Sequence, residues 1–170
     1  MELVITDTFD KEGIAHLTDE RQQEIEAKRR AIRLDLETDG RERHFYLALH
    51  ADRIIGTVEA GPSSRLIHDL TQGAMDQVTE VGTVFVHPGY QGQGVGTLLL
   101  NAILLHLQGK GVSEFCLDSG YPRAQQLWTK KLGEPAYLLP DYWGAGMDHM
   151  IWRCNMEKIV TGYSPKGGLI

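Results

Sequence analysis

The sequence predicts a mixed α/β domain, a central and mostly antiparallel sheet of about seven strands with about four helices packed on it. Three observations predict it. Runs rich in β-branched residues, bounded by Gly or Pro, alternate along the chain with runs of helix formers. At 170 residues the chain is long enough to bury one core without metals or disulfides. A content of 42% hydrophobic and 24% charged residues is that of a globular domain rather than a disordered or fibrous chain.

Each element follows from its own signals. "LVITDTF" (3–9) reads as a first strand and 11–17 as a separate helical turn. "DERQQEIEAKRRAIRLDLETDG" (19–40) is a helix, with Thr18 or Asp19 as cap and Gly40 past its end. Residues 44–61 form two strands around a tight turn at Ala51–Asp52–Arg53, and "SSRLIHDLTQGAMD" is a long connection with one helical turn. "VTEVGTVFV" (78–86) is a strand stopped by Pro88. Residues 95–111 are a helix with Leu98, Ala102 and Leu105 on one face, closing at Gly109 or Gly111. "SEFCLD" (113–118) is a strand and "PRAQQLWTKKLG" (122–133) a helix with proline in its first turn. "PAYLL" and "MDHMIWRCNM" are two last strands around the loop "PDYWGAG". The domain is expected over 1–157, with 158–170 as a C-terminal tail.

A net charge of −6 speaks against nucleic acid as partner, and the one basic cluster, "KRRAIR" (28–33), is flanked by acidic residues along a helix. No window holds about 18 uninterrupted apolar residues, and the N-terminal stretch lacks the pattern of a secretory signal, so no membrane association is expected. Cys116 and Cys154 have no metal-ligand spacing and read as reduced and buried, which points to the cytoplasm.

The chemistry concentrates in "HPGYQGQGVGTLLL" (87–100), where Gly89, Gly92, Gly94 and Gly96 precede an apolar helical run. A glycine-rich turn from strand to helix offers unpaired N–H groups at the positive end of a helix dipole, a ready anion site. The P-loop pattern fails because Val95–Gly96 stands where Lys and Ser or Thr are needed. The dinucleotide fingerprint fails too, ending on Thr97 or Leu99 where a small residue is required.

The hexapeptide Gln91-Gly92-Gln93-Gly94-Val95-Gly96 resembles the acetyl-CoA-binding motif of the GNAT superfamily of N-acetyltransferases, (Arg/Gln)-x-x-Gly-x-(Gly/Ala). "VFVHPGYQGQGVGTLLL" extends the likeness to the strand, Val-x-Pro, loop and Leu-rich helix of that family, and the element order matches along residues 3 to about 156. The resemblance implies a sheet splayed between the fourth and fifth strands of the family fold. It implies acetyl-CoA as co-substrate, its pyrophosphate held by the backbone of Gln91, Gly92, Gln93, Gly94, Val95, Gly96 and Thr97. It also implies that the backbone of Val84, Phe85 and Val86 pairs with the pantetheine amides. The reaction implied is direct attack of a primary amine on the thioester in a ternary complex.

Glu80 stands six residues before Val86 and matches a catalytic glutamate of some family members. Strand alternation puts it on one face with Gly82, Val84 and Val86. The thiolate's acid is not evident. Relatives carry a tyrosine where anchoring on Ala124 puts Trp128 and anchoring on Gly133 puts Thr129; Trp128 is expected against coenzyme A or in the core. Tyr121 and Tyr142 are the remaining phenols near the expected cleft. His87 and His149 read as structural, and no metal is expected. The 139–147 loop is acidic and aromatic, which suits a cationic acceptor, a small molecule or a peptidyl amine. A homodimer is allowed, and a non-catalytic acyl-CoA-binding module is the rival reading.

Overall fold

The structure is a computed structural model, and residues 1–159 are described; of the expected tail, residues from 160 on lie outside the described residues. Two antiparallel helices, α1 (Glu2–Lys11) and α2 (Thr18–Thr38), lead into the hairpin β1 (His44–His50) and β2 (Arg53–Pro62). Then follow α3 (Arg65–Thr71), β3 (Thr79–Val86), α4 (Val95–Gly109), β4 (Glu114–Ser119), α5 (Pro122–Leu132), β5 (Tyr137–Leu139) and β6 (His149–Asn155). Six strands form one mixed sheet in the order β1-β2-β3-β4-β6-β5, with five α-helices around it.

Most elements stand where the sequence puts them. The 44–61 hairpin turns on Ala51 and Asp52, both at positive φ (47° and 61°), with His50 opposite Arg53. The exceptions are residues 3–9, expected as a strand and found as helix α1, and residues 11–17, expected as a separate helical turn but found as the end of α1 and the turns that join it to α2. Val4, Ile5 and Phe9 are the buried residues of α1, and Ile5 and Phe9 pack with Ile14 and Ile25. Asp7 and Lys11 pair across one turn at 2.6 Å, and the Thr8 hydroxyl donates to the Val4 carbonyl. Tertiary packing on α2 overrides a β-branched composition here.

The stripe expected on α4 also differs. Leu98 and Leu105 face outward, while Leu99, Leu100, Ile103, Leu104 and Leu107 fill the core. A helix apolar nearly all round carries no periodicity to say which side is inward.

The sheet has two unlike faces. Val58, Ala60, Val81, Phe115, Leu117 and Trp152 meet α4 and α5 in the main core. The opposite face is covered by α1, α2 and α3, and it carries the polar residues. Between β3 and β4, parallel pairing is confined to Thr79–Phe115 and Glu80–Cys116, so the two strands part beyond Glu80. A β-bulge accompanies the parting. Thr83 and Val84 together oppose Val58 of β2, and Thr83 has φ 50°. The bulge shifts the alternation by one, so Val84 packs on the α4 side while Phe85, not Val84 or Val86, shares Glu80's face with Ile5 and Phe9. The expected face of Glu80, Gly82, Val84 and Val86 therefore ends at Gly82.

Candidate active site

The glycine stretch lies between β3 and α4 as expected, and its own side chains tie it down. Pro88–Tyr90 make a 3₁₀ turn whose first N–H bonds are eased by His87, Nδ1 accepting from the Gly89 amide at 3.1 Å. Gln91 Nε2 donates to the Val86 carbonyl (3.1 Å) and Gln93 Nε2 to the Gly89 carbonyl (3.0 Å). Gly92 and Gly94 adopt φ 73° and 88°, a left-handed conformation that disfavours any side chain. Gly94 is the N-cap of α4 and no side chain caps that helix, leaving its first N–H groups directed at the loop. Lys11 donates to Gln91 Oε1 at 2.9 Å and Lys131 to Thr97 Oγ1 at 3.0 Å, so a cation flanks each side of the turn. Open backbone at Gly92, a free helix N-terminus and two lysines fit a phosphate-bearing cofactor.

The parting of β3 and β4 is lined with carboxylates. Glu80, 7% exposed, stands at the last paired position and its Oε2 accepts the Ser64 amide at 2.5 Å. Burial first, and then the charge of Asp118, pushes its carboxyl up to about 7. Glu59 on β2 is equally buried but compensated. It pairs with Arg43 at 3.0 Å and Lys28 at 3.7 Å and accepts the Thr83 hydroxyl. Glu59 and Glu80 converge over Gly82, where an added Cβ would lie 3.3 Å and 3.5 Å from their Oε1 atoms. Gly82 lets two acids approach each other closely at the point where the sheet divides.

Of the candidate phenols, Tyr121 packs edge-on against Phe9 and donates its hydroxyl to Glu24 of α2. Burial and then the Glu24 charge raise its phenol well above the ordinary value. Glu24 is itself raised, by burial above all. Tyr142 is 42% exposed on the 140–147 loop, its ring 4.7 Å from that of Trp143. Trp128 is 8% exposed within the main core. Val86 lies beside the loop, its Cγ2 3.5 Å from where a Gly96 Cβ would be. Both cysteines are free and buried. Among the described residues no cluster of three or more His, Cys, Asp or Glu is placed to hold a metal, and no helix is long and apolar enough to cross a membrane.

Sequence reasoning missed Glu24, Glu59, Arg43 and Asp118. The signal for Glu59 was present, a single carboxylate amid the apolar run "IIGTVEAG" of a buried strand. Glu24 had none, standing among many charges on α2.

The family model of the acetyltransferase (GNAT) family matches residues 8–133. No curated protein matches the chain by sequence. Among solved structures, the chain is similar to a GNAT-family protein of Desulfovibrio desulfuricans, at 17% identity and TM-score 0.60, covering 91% of this chain and 92% of that one. It is similar to PaiA N-acetyltransferase of Thermoplasma acidophilum in complex with coenzyme A, at 14% identity and TM-score 0.62, covering 91% and 87%. An aminoglycoside 6′-acetyltransferase type Ii matches at 16% identity and TM-score 0.57, covering 91% and 88%. At these identities the structural likeness speaks for the fold, and the family match spans most of the chain. A mixed sheet parted beyond Glu80, with a glycine turn at the foot of α4, is the work of a chain that belongs to the acetyltransferase (GNAT) family.

Proposed function

We propose that the protein is an N-acetyltransferase that moves an acetyl group from acetyl-CoA to a cationic primary amine. The single observation that carries this reading is Glu80, a buried carboxylate poised near neutrality at the parting of the sheet. Acetyl-CoA would supply a thioester carbonyl open to addition and a thiolate able to leave. The backbone from Gln91 to Thr97, with Lys11 and Lys131 beside it, would hold the pyrophosphate. The edge of β3 at Val84, Phe85 and Val86 would present N–H and C=O groups to the pantetheine amides.

An alkylammonium near pKa 10 reaches neutral pH protonated and cannot attack. Glu80 takes one proton from it, and a base near pKa 7 is ionised often enough to accept yet protonated enough to return the proton. The nitrogen lone pair then forms the C–N bond as the C–S bond breaks, the electron pair leaving with sulfur. The second proton shed by nitrogen neutralises the thiolate. Tyr121 is poorly suited to supply that proton, because its hydroxyl is committed to Glu24.

One observation favours the rival reading, a module that binds acyl-CoA without transfer: Trp128, which stands at the place of the family's tyrosine when the helix is anchored on Ala124, is packed in the core and offers no acid. Thiol release from acetyl-CoA across a panel of primary amines decides between them. Amine-dependent release supports the transferase; thermal stabilisation by acetyl-CoA with no release from any amine supports the module.

A further inference from the structure

Three side chains outside this scheme form a line from the 140–147 loop to the cleft, with half-exposed Trp143 at its outer end and buried His149 at its middle. The Trp143 Nε1–H donates to His149 Nδ1 at 3.0 Å. On the other side of the ring, His149 Nε2 lies 3.0 Å from Asp118 Oδ2, off the line of a well-formed hydrogen bond. His149 is 2% exposed, whereas the Asp118 side chain is 22% exposed. Trp143 and Tyr142 both set their rings 5.7 Å from the imidazole. The indole lies so close to Gly120 that a Cβ there would be 2.5 Å from Nε1.

The pattern has a chemical reading. A donor on Nδ1 obliges that nitrogen to be the acceptor, so the ring proton sits on Nε2 and faces Asp118. A neutral ring orients the carboxylate without cancelling its charge. Register puts Asp118 on the Glu80 face: Cys116 is opposite Glu80, and Asp118 is two residues on, opposite Ile151 and next to His149 on β6. The groups that face it are Glu80 from β3, Glu24 from α2 and His149 from β6. Lys28 acts on that cluster from α2, and Arg43 from the β1 side. Asp118 is a carboxylate on that face that is partly open and has a buried imidazole behind it.

Resting on the transferase reading, we propose that Asp118 is the carboxylate that receives the acceptor's ammonium beside Glu80, with His149 and Trp143 as positioning residues. Trp143 fixes the imidazole tautomer, the imidazole fixes Asp118, and Asp118 holds the substrate nitrogen where Glu80 can take its proton. The acceptor class this selects is an alkylammonium rather than a neutral arylamine.

The test uses cadaverine as acceptor with the full chain. Asp118→Asn should raise the KM for cadaverine about tenfold or more, since a hydrogen bond to a charged group is lost. It should leave the KM for acetyl-CoA within about twofold. Asp118→Glu should recover part of the loss. Trp143→Phe should raise the cadaverine KM less, and ¹⁵N NMR of the His149 ring should lose the single Nε2–H tautomer expected in the wild type. An unchanged cadaverine KM in Asp118→Asn, with wild-type transfer intact, overturns the assignment, as does a His149 tautomer indifferent to Trp143. If the wild type transfers to no amine, calorimetry of cadaverine on the coenzyme A complex separates the two ideas. Binding lost in Asp118→Asn then sustains the Asp118 site while the transferase reading falls, and equal or absent binding overturns both.

Discussion

The two walls of the cleft are built from opposite materials. The glycine turn at the foot of α4 is a site of backbone: amides, a helix terminus and two flanking lysines. The opposite wall is a site of side chains, with Glu24, Glu59, Glu80 and Asp118 drawn from α2, β2, β3 and β4. One wall is positive and one negative. A backbone site needs contiguous residues, whereas a side-chain site needs only that the fold bring distant residues together.

The largest expected effect breaks the acidic wall. Glu80→Gln should lower kcat/KM by about 10²–10⁴-fold at neutral pH, the usual range of a general base. With a carboxyl near 7, wild-type activity should climb with pH through that value, as the ionised base appears. The variant should lack that limb, and its deficit should shrink as the amine deprotonates unaided. A variant within threefold of wild type from pH 6 to 9 would leave deprotonation to water.

The basic wall breaks differently. Gly96→Val puts methyl groups next to Val86, where even the Cβ is 3.5 Å from Cγ2, and over the amides of the turn. Affinity for acetyl-CoA, by calorimetry, should fall about tenfold, as a blocked helix N-terminus predicts. Gly94→Val should also lose about 1–2 kcal/mol of stability, because φ is 88° there.

Stability sharpens the contrast. A buried carboxyl raised from 4.5 to about 7 favours folding below the unfolded-state value and progressively opposes it as pH rises through the folded value. Replacing Glu80 with Gln should therefore stabilise the protein at pH 8 relative to pH 4, by on the order of 1–3 kcal/mol in urea unfolding. Equal differences at both pH values would mean that Glu80 is not held in its neutral form. The smallest effect belongs to Tyr121→Phe. With its hydroxyl spent on Glu24, turnover should stay within about threefold, and a hundredfold fall in kcat would make the phenol the acid after all.

These walls also explain what was legible. The hairpin, β3, α4 and the glycine turn were readable because local signals set them: φ-positive turn residues, β-branched runs, a proline stop. Helix α1 was not, because "LVITDTF" has a strand's composition and only its partner α2 makes it helical. The face of Glu80 was readable as far as Gly82 and then lost at the bulge, since period-2 reasoning cannot foresee an inserted residue. Asp118 and Glu24 needed the tertiary fold to become neighbours.

The two-residue pairing of β3 with β4 has one further consequence. It leaves an edge in the middle of the sheet rather than at its rim. Beyond Glu80, amides on either side of that seam lack a ladder partner across it and should exchange their hydrogens with solvent readily. On the proposed function, the thin, amide-bearing arm of pantetheine would close such a seam. Its arrival would slow exchange at Val84 to Val86 and tie the two halves of the sheet into one cooperative unit. The ligand would then be a missing strand as much as a reactant.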